Sequence, residues 1–241
     1  MQNLLETIGD AESIFLGVDF DGTLAPLVAH PDDAAADPRA LAALESLANT
    51  PGVVVAIVSG RGWPDLHGRI GDVAGVALIG GHGTESGPGG DGDDLTRIEE
   101  RLSAAVAELP GAWVEHKSHS LGFHYRAVEA ENLDGVLDGL REWAEADPDL
   151  HLLESKRILE VGARPLSTAA AVADLKGSLG VDMVVYIGDD RTDESVFESM
   201  FAGDVGIKVG EGETAAGSRL DGPEEVTRFL EALAARLRAT R

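Results

Sequence analysis

The sequence contains no cysteine, and only four of its 19 basic residues are lysine. The lack of cysteine excludes disulfides and thiolate metal sites and is typical of a reducing compartment. No apolar run approaches the ~20 residues that a membrane-spanning helix needs. Residues 1–6 also lack the basic segment that begins a signal peptide. We therefore expect a cytoplasmic protein with no membrane partner.

Positive charge is scarce overall, because 43 acidic residues against 19 basic ones give a formal net charge of −24 at pH 7. Such a surface repels nucleic acid and anionic membranes, so we expect no nucleic-acid partner. The acidic residues are spread along the chain, which is typical both of a salt-adapted protein and of a protein from a high-GC bacterium. A phosphorylated substrate would therefore need cations placed at its own binding site.

Apolar runs alternate with helical patterns over much of the 241-residue chain. Such alternation favours an α/β fold with a doubly wound, mostly parallel sheet as its core. The apolar runs predict a strand that begins at 14 and ends near Gly22, and further strands at 53–58, 76–79, 183–187 and 206–209. Helical spacing predicts helices at 39–49, from about 64, and at 167–179, 192–201 and 223–238.

The pattern changes after the third of these strands, where the glycine-rich residues 86–94 predict a flexible connector. The following stretch has the order helix-strand-strand-helix-strand-strand, which predicts an inserted α+β module with its own sheet. Its helices are predicted at 95–109 and 131–145, and its strands at 112–117, 121–126, 150–153 and 157–161. We expect a core domain formed by 1–86 and 164–241, an inserted domain at 87–163, and a monomer.

Three of the predicted core strands end in polar clusters, and the strand ends of a doubly wound sheet can converge on one crevice. Grouped carboxylates repel one another unless a cation binds, and an all-oxygen donor set suits Mg²⁺. A serine that precedes a helix can help to receive phosphate oxygens. The clusters are Asp19 with Asp21, Ser59-Gly60-Arg61, and Asp189 with Asp190 and Asp193.

Paired aspartates at a metal site can carry phosphoryl transfer. One can attack phosphorus and form an aspartyl-phosphate, while the second protonates the leaving oxygen and later activates water. A simpler interpretation treats Asp19 and Asp21 as solvated turn residues. Asp190 and Asp193 could equally begin a helix, because a carboxylate near a helix N-terminus complements the helix dipole.

Asp19-Phe-Asp-Gly-Thr-Leu, Ser59-Gly-Arg and Gly188-Asp-Asp-Arg-Thr-Asp-Glu resemble motifs I, II and IV of the haloacid dehalogenase superfamily. More narrowly, the chain resembles the trehalose-6-phosphate phosphatase family over nearly its whole length. The segments that carry this narrower resemblance are Gly81-His-Gly-Thr-Glu85, Glu115-His-Lys117 with His124-Tyr-Arg126, Leu159-Glu160 with Arg164-Pro165, and Lys208-Val-Gly-Glu-Gly-Glu-Thr-Ala.

The resemblance implies a Mg²⁺-dependent phosphatase that hydrolyses trehalose 6-phosphate through an aspartyl-phosphate. Asp19 would be the nucleophile and a metal ligand, and Asp21 would be the acid/base and a ligand through its carbonyl. Asp189 and Asp190 would complete the metal site, and Ser59 would bind the phosphoryl group. The inserted module would be the family's cap, which closes over the substrate.

The resemblance also implies a set of phosphate- and sugar-binding residues, with Arg61 at the edge between core and cap. His82 could instead only shape a turn, and Glu115 with Lys117 could be a solvated cross-strand pair. The candidates beside Ser59 are Gly60, Arg61, His82, Glu115, Lys117, His124, Arg126 and Glu160.

The chain departs from the family at motif III, where a lysine usually follows the Arg-Pro pair. Here Arg164-Pro165 precedes Leu-Ser-Thr-Ala, so that Ala169 stands at the lysine position. Arg164, Lys156 or Lys208 could supply the missing charge. Two alternatives therefore stay open: a phosphatase of a related (pseudo-)disaccharide or sugar phosphate, and a weakly active or inactive homologue that binds a sugar phosphate.

Overall fold

The computed structural model describes residues 2–28, 30–87, 95–129, 131, 133–155, 157–164 and 166–241. Most of the predicted connector, Lys156 and Pro165 lie outside the described residues. The chain divides into two compact units, Met1–Ser86 with Ser167–Arg241, called here the core unit, and Gly87–Leu166, called the insert unit. The sequence placed the end of the insert at 163, and the assignment of core and cap domains stays a prediction.

The regular elements are numbered in chain order. The strands are β1 Ile14–Asp19, β2 Val53–Val58, β3 Val76–Ile79, β4 Trp113–His116, β5 Ser120–His124, β6 His151–Ser155, β7 Ile158–Gly162, β8 Met183–Gly188, β9 Val205–Val209 and β10 Ser218–Leu220. The helices are α1 Gln2–Gly9, α2 Pro38–Ala48, α3 Trp63–Ile70, α4 Thr96–Glu108, α5 Leu133–Glu145, α6 Thr168–Leu179, α7 Arg191–Ser199 and α8 Pro223–Thr240, with 3₁₀ turns at Pro31–Asp33 and Gly81–Gly83.

The core unit is built on a parallel six-stranded sheet with the order β10-β9-β8-β1-β2-β3. Alternate residues of β1 enter different apolar clusters: Leu16 packs with α2 and α8, and Phe15 packs with α6 and α7. Because helices cover both faces, β1 has no polar side chain before Asp19 at its end, as strands of parallel sheets are generally apolar. The predicted doubly wound α/β core is confirmed.

The insert unit contains an antiparallel four-stranded sheet with the order β4-β5-β7-β6. One face of this sheet packs against α4 and α5 through buried residues such as Leu102, Leu140, Phe123 and Leu159. The elements follow the predicted order helix-strand-strand-helix-strand-strand. The other face carries most of the polar residues that the sequence singled out.

Two elements of the core unit were not predicted from the sequence. Helix α1 is only eight residues long, and it packs on α8 with Ile8 fully buried. Strand β10 has three residues, of which only Leu220 is buried, so it is too short to show a period. Both elements exist because of their tertiary partners. In the described parts of the chain, no helix is long and apolar enough to cross a membrane.

Candidate active site

The predicted polar clusters meet at one edge of the core sheet, since β1 lies between β2 and β8. Asp19 is the last residue of β1 and is in register with Val58, which immediately precedes Ser59. On the other side, Val18 is in register with Ile187. Asp189 immediately follows the end of β8, so the structure brings Asp19, Ser59 and Asp189 to neighbouring strand ends.

The loop after β1 folds back tightly under Asp189. Gly22 donates its N–H to the carbonyl of Ala25 over 2.8 Å, and it has a φ of 95°. A Cβ atom at Gly22 would clash with the carboxylate of Asp189. The glycine is therefore required by both its left-handed conformation and the close approach of this carboxylate.

Asp19, Asp189 and Asp193 each offer a carboxylate oxygen, and these oxygens lie within 4.8 Å of one another. A donor set made only of carboxylate oxygens suits a hard divalent cation such as Mg²⁺. The sequence predicted Asp19 and Asp189 for this role but preferred Asp190 to Asp193. The three residues named here form the carboxylate cluster.

Asp193 is buried and holds the turn that carries Asp189. Its Oδ2 accepts the N–H groups of Asp189 and Asp190 at 2.8 and 2.9 Å, and its Oδ1 accepts the Tyr186 hydroxyl at 2.9 Å. Burial, followed by the charge of Asp190, raises the pKa of Asp193 to about 8. Gly188 must be glycine here, because a Cβ atom would clash with Asp193.

Asp190 begins helix α7. Its Oδ1 accepts the N–H groups of Thr192 and Asp193 at 2.8 and 3.2 Å, and together with Asp193 it forms a capping box. Asp190 and Asp193 therefore cap this helix, as the alternative interpretation of the sequence expected. The metal-binding role of Asp190 stays a prediction.

Asp21 is held by Arg61. The Nε and Nη2 groups of Arg61 donate to the two carboxylate oxygens of Asp21 at 2.6 and 2.8 Å. Arg61 also donates to Asp65 at 2.7 Å and to the carbonyl of Pro31 at 2.9 Å. Burial lowers the pKa of Arg61, but its hydrogen bonds to Asp21 and Asp65 outweigh burial and raise it. This bidentate contact fixes Asp21, the predicted acid/base, in one orientation.

His82 lies against the turn after β2. Its backbone N–H donates to the carbonyl of Ser59 at 3.1 Å, and a Cβ atom at Gly60 would come within 2.5 Å of the His82 ring. Ser59 is buried, and its hydroxyl accepts the N–H of Arg61 at 3.2 Å. His82 thus shapes the Ser59–Gly60 turn, while its role in substrate binding stays a prediction.

The insert unit presents four of its five predicted binding residues on, or next to, one face of its sheet. Side chains alternate along β5, so Ser120, Gly122 and His124 lie on the opposite face from the apolar Leu121 and Phe123. Glu115 and Glu160 are both in register with Gly122 and therefore share its face. Lys117 reaches the same face through its ammonium group.

Two charged pairs organise this face. Lys117 donates to one oxygen of Glu160 at 2.5 Å, and Ser120 donates to the other at 2.6 Å. The side chains of Lys117 and Glu160 are each only 4% exposed. His124 contacts Glu115 at 2.8 Å. Burial raises the pKa of Glu115, but the His124 contact and the charge of Lys117 outweigh burial and lower it.

Arg126, the remaining predicted residue of the insert unit, lies past the end of β5 and is exposed. Three further residues of the two sites were not among the sequence-based candidates. Glu85 accepts the N–H of Trp63 at the start of α3, and Trp113 stacks on His124 with ring centroids 3.8 Å apart. Asp65 braces Arg61. The i,i+4 spacing of Arg61 and Asp65 was a signal that could have revealed this last pair.

The family model described as trehalose-phosphatase matches residues 17–224. A probable trehalose-phosphate phosphatase of Sinorhizobium fredii is 32% identical over 213 residues, which cover 83% of this chain and 79% of that protein. An uncharacterised glycosyl hydrolase of Mycobacterium tuberculosis is 33% identical over 256 residues, 94% of this chain but only 18% of that protein. The chain thus spans about a fifth of that relative's length.

Among solved structures, the C-terminal domain of Candida albicans trehalose-6-phosphate phosphatase is similar, with a TM-score of 0.82. The match covers 97% of this chain and 96% of that domain at 22% identity, and it shows the shared fold. The family model extends from the middle of β1 to the start of α8 and includes every strand in between. The chain therefore belongs to the trehalose-phosphatase family, as its motifs predicted.

Proposed function

We propose that this chain is a Mg²⁺-dependent phosphatase that hydrolyses trehalose 6-phosphate to trehalose and phosphate through an aspartyl-phosphate intermediate. Membership of the trehalose-phosphatase family supports the substrate class. The observation that carries the proposal is the carboxylate cluster, in which Asp19, Asp189 and Asp193 place oxygens within 4.8 Å of one another at the strand ends. Like charges gathered in this way favour a bound cation.

Asp19 and Asp189 are the residues that would hold the metal, with the backbone carbonyl of Asp21 as a further ligand. When bound, Mg²⁺ supplies positive charge to the phosphoryl oxygens. The fit rests on the donor atoms, which are all oxygens, and on the loop at Gly22, which leaves room for the carboxylate of Asp189. Asp193 contributes mainly by orienting the turn, because both its oxygens already accept hydrogen bonds.

The chemical steps follow from the positions of the two loop aspartates. Asp19 attacks phosphorus, and the bond between phosphorus and the sugar oxygen breaks as the aspartyl-phosphate forms. Asp21 gives its proton to the leaving oxygen and then takes a proton from the water that hydrolyses the intermediate. Arg61 orients Asp21 through its two hydrogen bonds. The Ser59 hydroxyl donates to a phosphoryl oxygen.

The polar face of the insert sheet offers groups for a sugar. The carboxylate of Glu115 accepts hydrogen bonds from hydroxyls, and the predicted contacts of Lys117 and Glu160 with the sugar require their buried pair to open. His124 adds a ring nitrogen, and Arg126 is a further candidate at the end of β5. Because buried polar groups lose hydrogen bonds when the wrong sugar is present, such a face discriminates between polyols.

A second candidate function rests on motif III. Ala169 lies on α6 and packs against the apolar cluster that contains Tyr186 and Phe197. An alanine there brings no charge to the phosphoryl site. This observation favours a protein that binds a sugar phosphate with weak or no turnover. A phosphatase of a related disaccharide phosphate is the other alternative. One assay distinguishes both alternatives from a phosphatase of trehalose 6-phosphate.

The test is phosphate release from trehalose 6-phosphate with MgCl₂, run beside a panel of other sugar phosphates and an EDTA control. We expect Mg²⁺-dependent turnover that is fastest on trehalose 6-phosphate. Faster turnover on another sugar phosphate would show that this other compound, and not trehalose 6-phosphate, is the preferred substrate. Retained sugar-phosphate binding without turnover would favour the binding protein. A high-salt arm is needed, because salt screens the repulsion between acidic side chains.

A cytoplasmic location, a monomeric state and the lack of nucleic-acid and membrane partners stay predictions from the sequence. The assay does not test these predictions. Its salt concentrations are chosen because the chain has a formal net charge of −24.

A further inference from the structure

Lys208 occupies an unusual position in the core sheet. It lies in β9 between the buried residues Ile207 and Val209, and it is itself only 5% exposed. The register of β8 and β9 places it opposite Gly188, the residue before Asp189. Burying an ammonium group is costly unless it is paired and hydrogen-bonded, so its contacts need to be identified.

The ammonium group of Lys208 donates to the carbonyl oxygen of Asp189 over 2.6 Å. It also forms an ion pair with Glu194 Oε1 at 3.3 Å. The shorter of these contacts is thus to the backbone of a carboxylate-cluster residue. A buried lysine could instead have paired with Glu194 alone, and the Asp189 carbonyl would then lack this hydrogen bond.

Asp189 is therefore held at both ends of its own backbone. Its N–H donates to Asp193 Oδ2 at 2.8 Å, and its carbonyl accepts from Lys208 at 2.6 Å. With both groups fixed, the direction in which its side chain leaves the backbone is also fixed. That direction places the carboxylate directly over Gly22.

We propose that Lys208 is a positioning residue for the metal-binding carboxylates: its hydrogen bond to the Asp189 carbonyl fixes the backbone from which one of these carboxylates extends. The inference rests on the proposed function, because it concerns the same site. It also identifies a cation near motif IV in a chain whose motif III position is Ala169. Lys208 acts on the cluster through the backbone of Asp189, and it takes no part in bond making.

The test is the affinity for Mg²⁺ alone, measured by isothermal titration calorimetry without any substrate. We expect Lys208→Met to weaken Mg²⁺ binding by about 10-fold or more, as removal of residues that orient metal ligands does. Lys208→Arg keeps the charge and donor groups and should recover most of the affinity. Lys208→Gln keeps a donor without the charge and should be intermediate.

Lys176→Met is the matched control, because Lys176 pairs with Asp204 at 2.6 Å elsewhere in the core unit. It should lower stability while leaving the Mg²⁺ affinity within about 2-fold of wild type, since the pair is remote from the metal ligands. Circular dichroism shows whether each variant is folded, and if Lys208→Met is not, Lys208→Gln supplies the comparison.

Unchanged Mg²⁺ affinity in the folded Lys208 variants would overturn the proposal, as would an arginine variant no better than the methionine or glutamine variant. Wild-type protein that binds Mg²⁺ but does not hydrolyse trehalose 6-phosphate would contradict the proposed function only. Wild-type protein that binds no Mg²⁺ would overturn both.

Discussion

In the core unit the candidate catalytic carboxylates stand at or just past the ends of parallel strands, whereas in the insert unit the candidate sugar-binding groups stand mostly within antiparallel strands. Asp19 and Asp189 are positioned by tight turns and backbone hydrogen bonds. Glu115 and Glu160 are positioned by cross-strand register and by contacts with neighbouring side chains of the same sheet. Chemistry at the first site depends on loop geometry, while recognition at the second depends on alternation along strands.

The two regions also differ in how charge is arranged. The core unit gathers like charges, and burial together with the charge of Asp190 raises the pKa of Asp193 to about 8. The insert unit pairs opposite charges, as in Lys117–Glu160, and the pKa of Glu115 is lowered despite its burial. A cluster of like charges favours a cation from outside the chain. Paired charges stabilise the sheet and offer hydrogen bonds to a polar ligand.

The largest effect should follow from removing the nucleophile. Asp19→Asn keeps the shape of the side chain but lacks the charged oxygen that attacks phosphorus. We expect turnover of trehalose 6-phosphate to fall by about 10³-fold or more, as loss of a nucleophile does. Asp182→Asn is a control, because Asp182 contacts Ser13 at the opposite end of the sheet. Turnover of a few per cent of wild type in Asp19→Asn would contradict the assignment.

The difference between the regions explains what the sequence could predict. Apolar runs locate the ends of β1, β2 and β8, so the convergence of Asp19, Ser59 and Asp189 was predictable from topology. Alternation along β5 was equally visible, since a period of two is a property of the chain. These features depend on local pattern and on rules of sheet topology.

Other features depend on which atoms approach in space, and the sequence does not contain that information directly. The choice between Asp190 and Asp193 within the carboxylate cluster depends on how the first turn of α7 presents its side chains. The contact of Arg61 with Asp21 joins loops that are 40 residues apart. Lys208 was one of three candidate cations until its contact with Asp189 was visible.

In the insert unit, the buried pair of Lys117 and Glu160 should carry the largest effect on stability. Lys117→Met removes this countercharge from a carboxylate that is only 4% exposed. We expect the free energy of unfolding of the insert unit to fall by about 3 kcal/mol, within the range for broken buried pairs. Hydrogen exchange of the β5 and β7 amides, in native buffer, measures this loss.

Two further variants sharpen the interpretation of this pair. Lys117→Met with Glu160→Gln should be more stable than Lys117→Met alone, because the remaining charge is also removed. Arg141→Met breaks a pair with Glu154 in which both side chains are about a third exposed. It should cost under about 1 kcal/mol, because water screens exposed pairs. Equal losses in Lys117→Met and Arg141→Met would contradict a special role for burial.

A smaller effect should separate the two neighbouring aspartates of the core unit. Asp189→Asn weakens a carboxylate ligand, and we expect about 10-fold weaker Mg²⁺ binding by calorimetry. Asp190→Asn keeps the oxygen that caps α7, since asparagine caps helices about as well as aspartate. Its Mg²⁺ affinity should stay within about 2-fold of wild type. Equal losses in both variants would instead support the sequence-based assignment of Asp190 as a ligand.

The smallest effect should be a pH dependence in the insert unit, carried by Glu115. Its carboxylate faces His124, Lys117 and Glu160, and its folded-state pKa is lowered. Unfolded glutamate titrates near ~4.3. The stability that Glu115 contributes is therefore fully present above that value and is lost as the pH falls through the lower folded pKa.

Comparing wild type with Glu115→Gln by hydrogen exchange of the β4 and β5 amides isolates this contribution, after correction for the intrinsic exchange rate at each pH. The difference in opening free energy should be constant between about pH 5 and 6 and should shrink as the pH is lowered toward 3. A difference that grows on acidification would mean that burial, and not His124 and Lys117, controls this carboxylate. Glu115 would then resemble Asp193 of the core unit, whose pKa burial raises, and the contrast between paired and clustered carboxylates would fail.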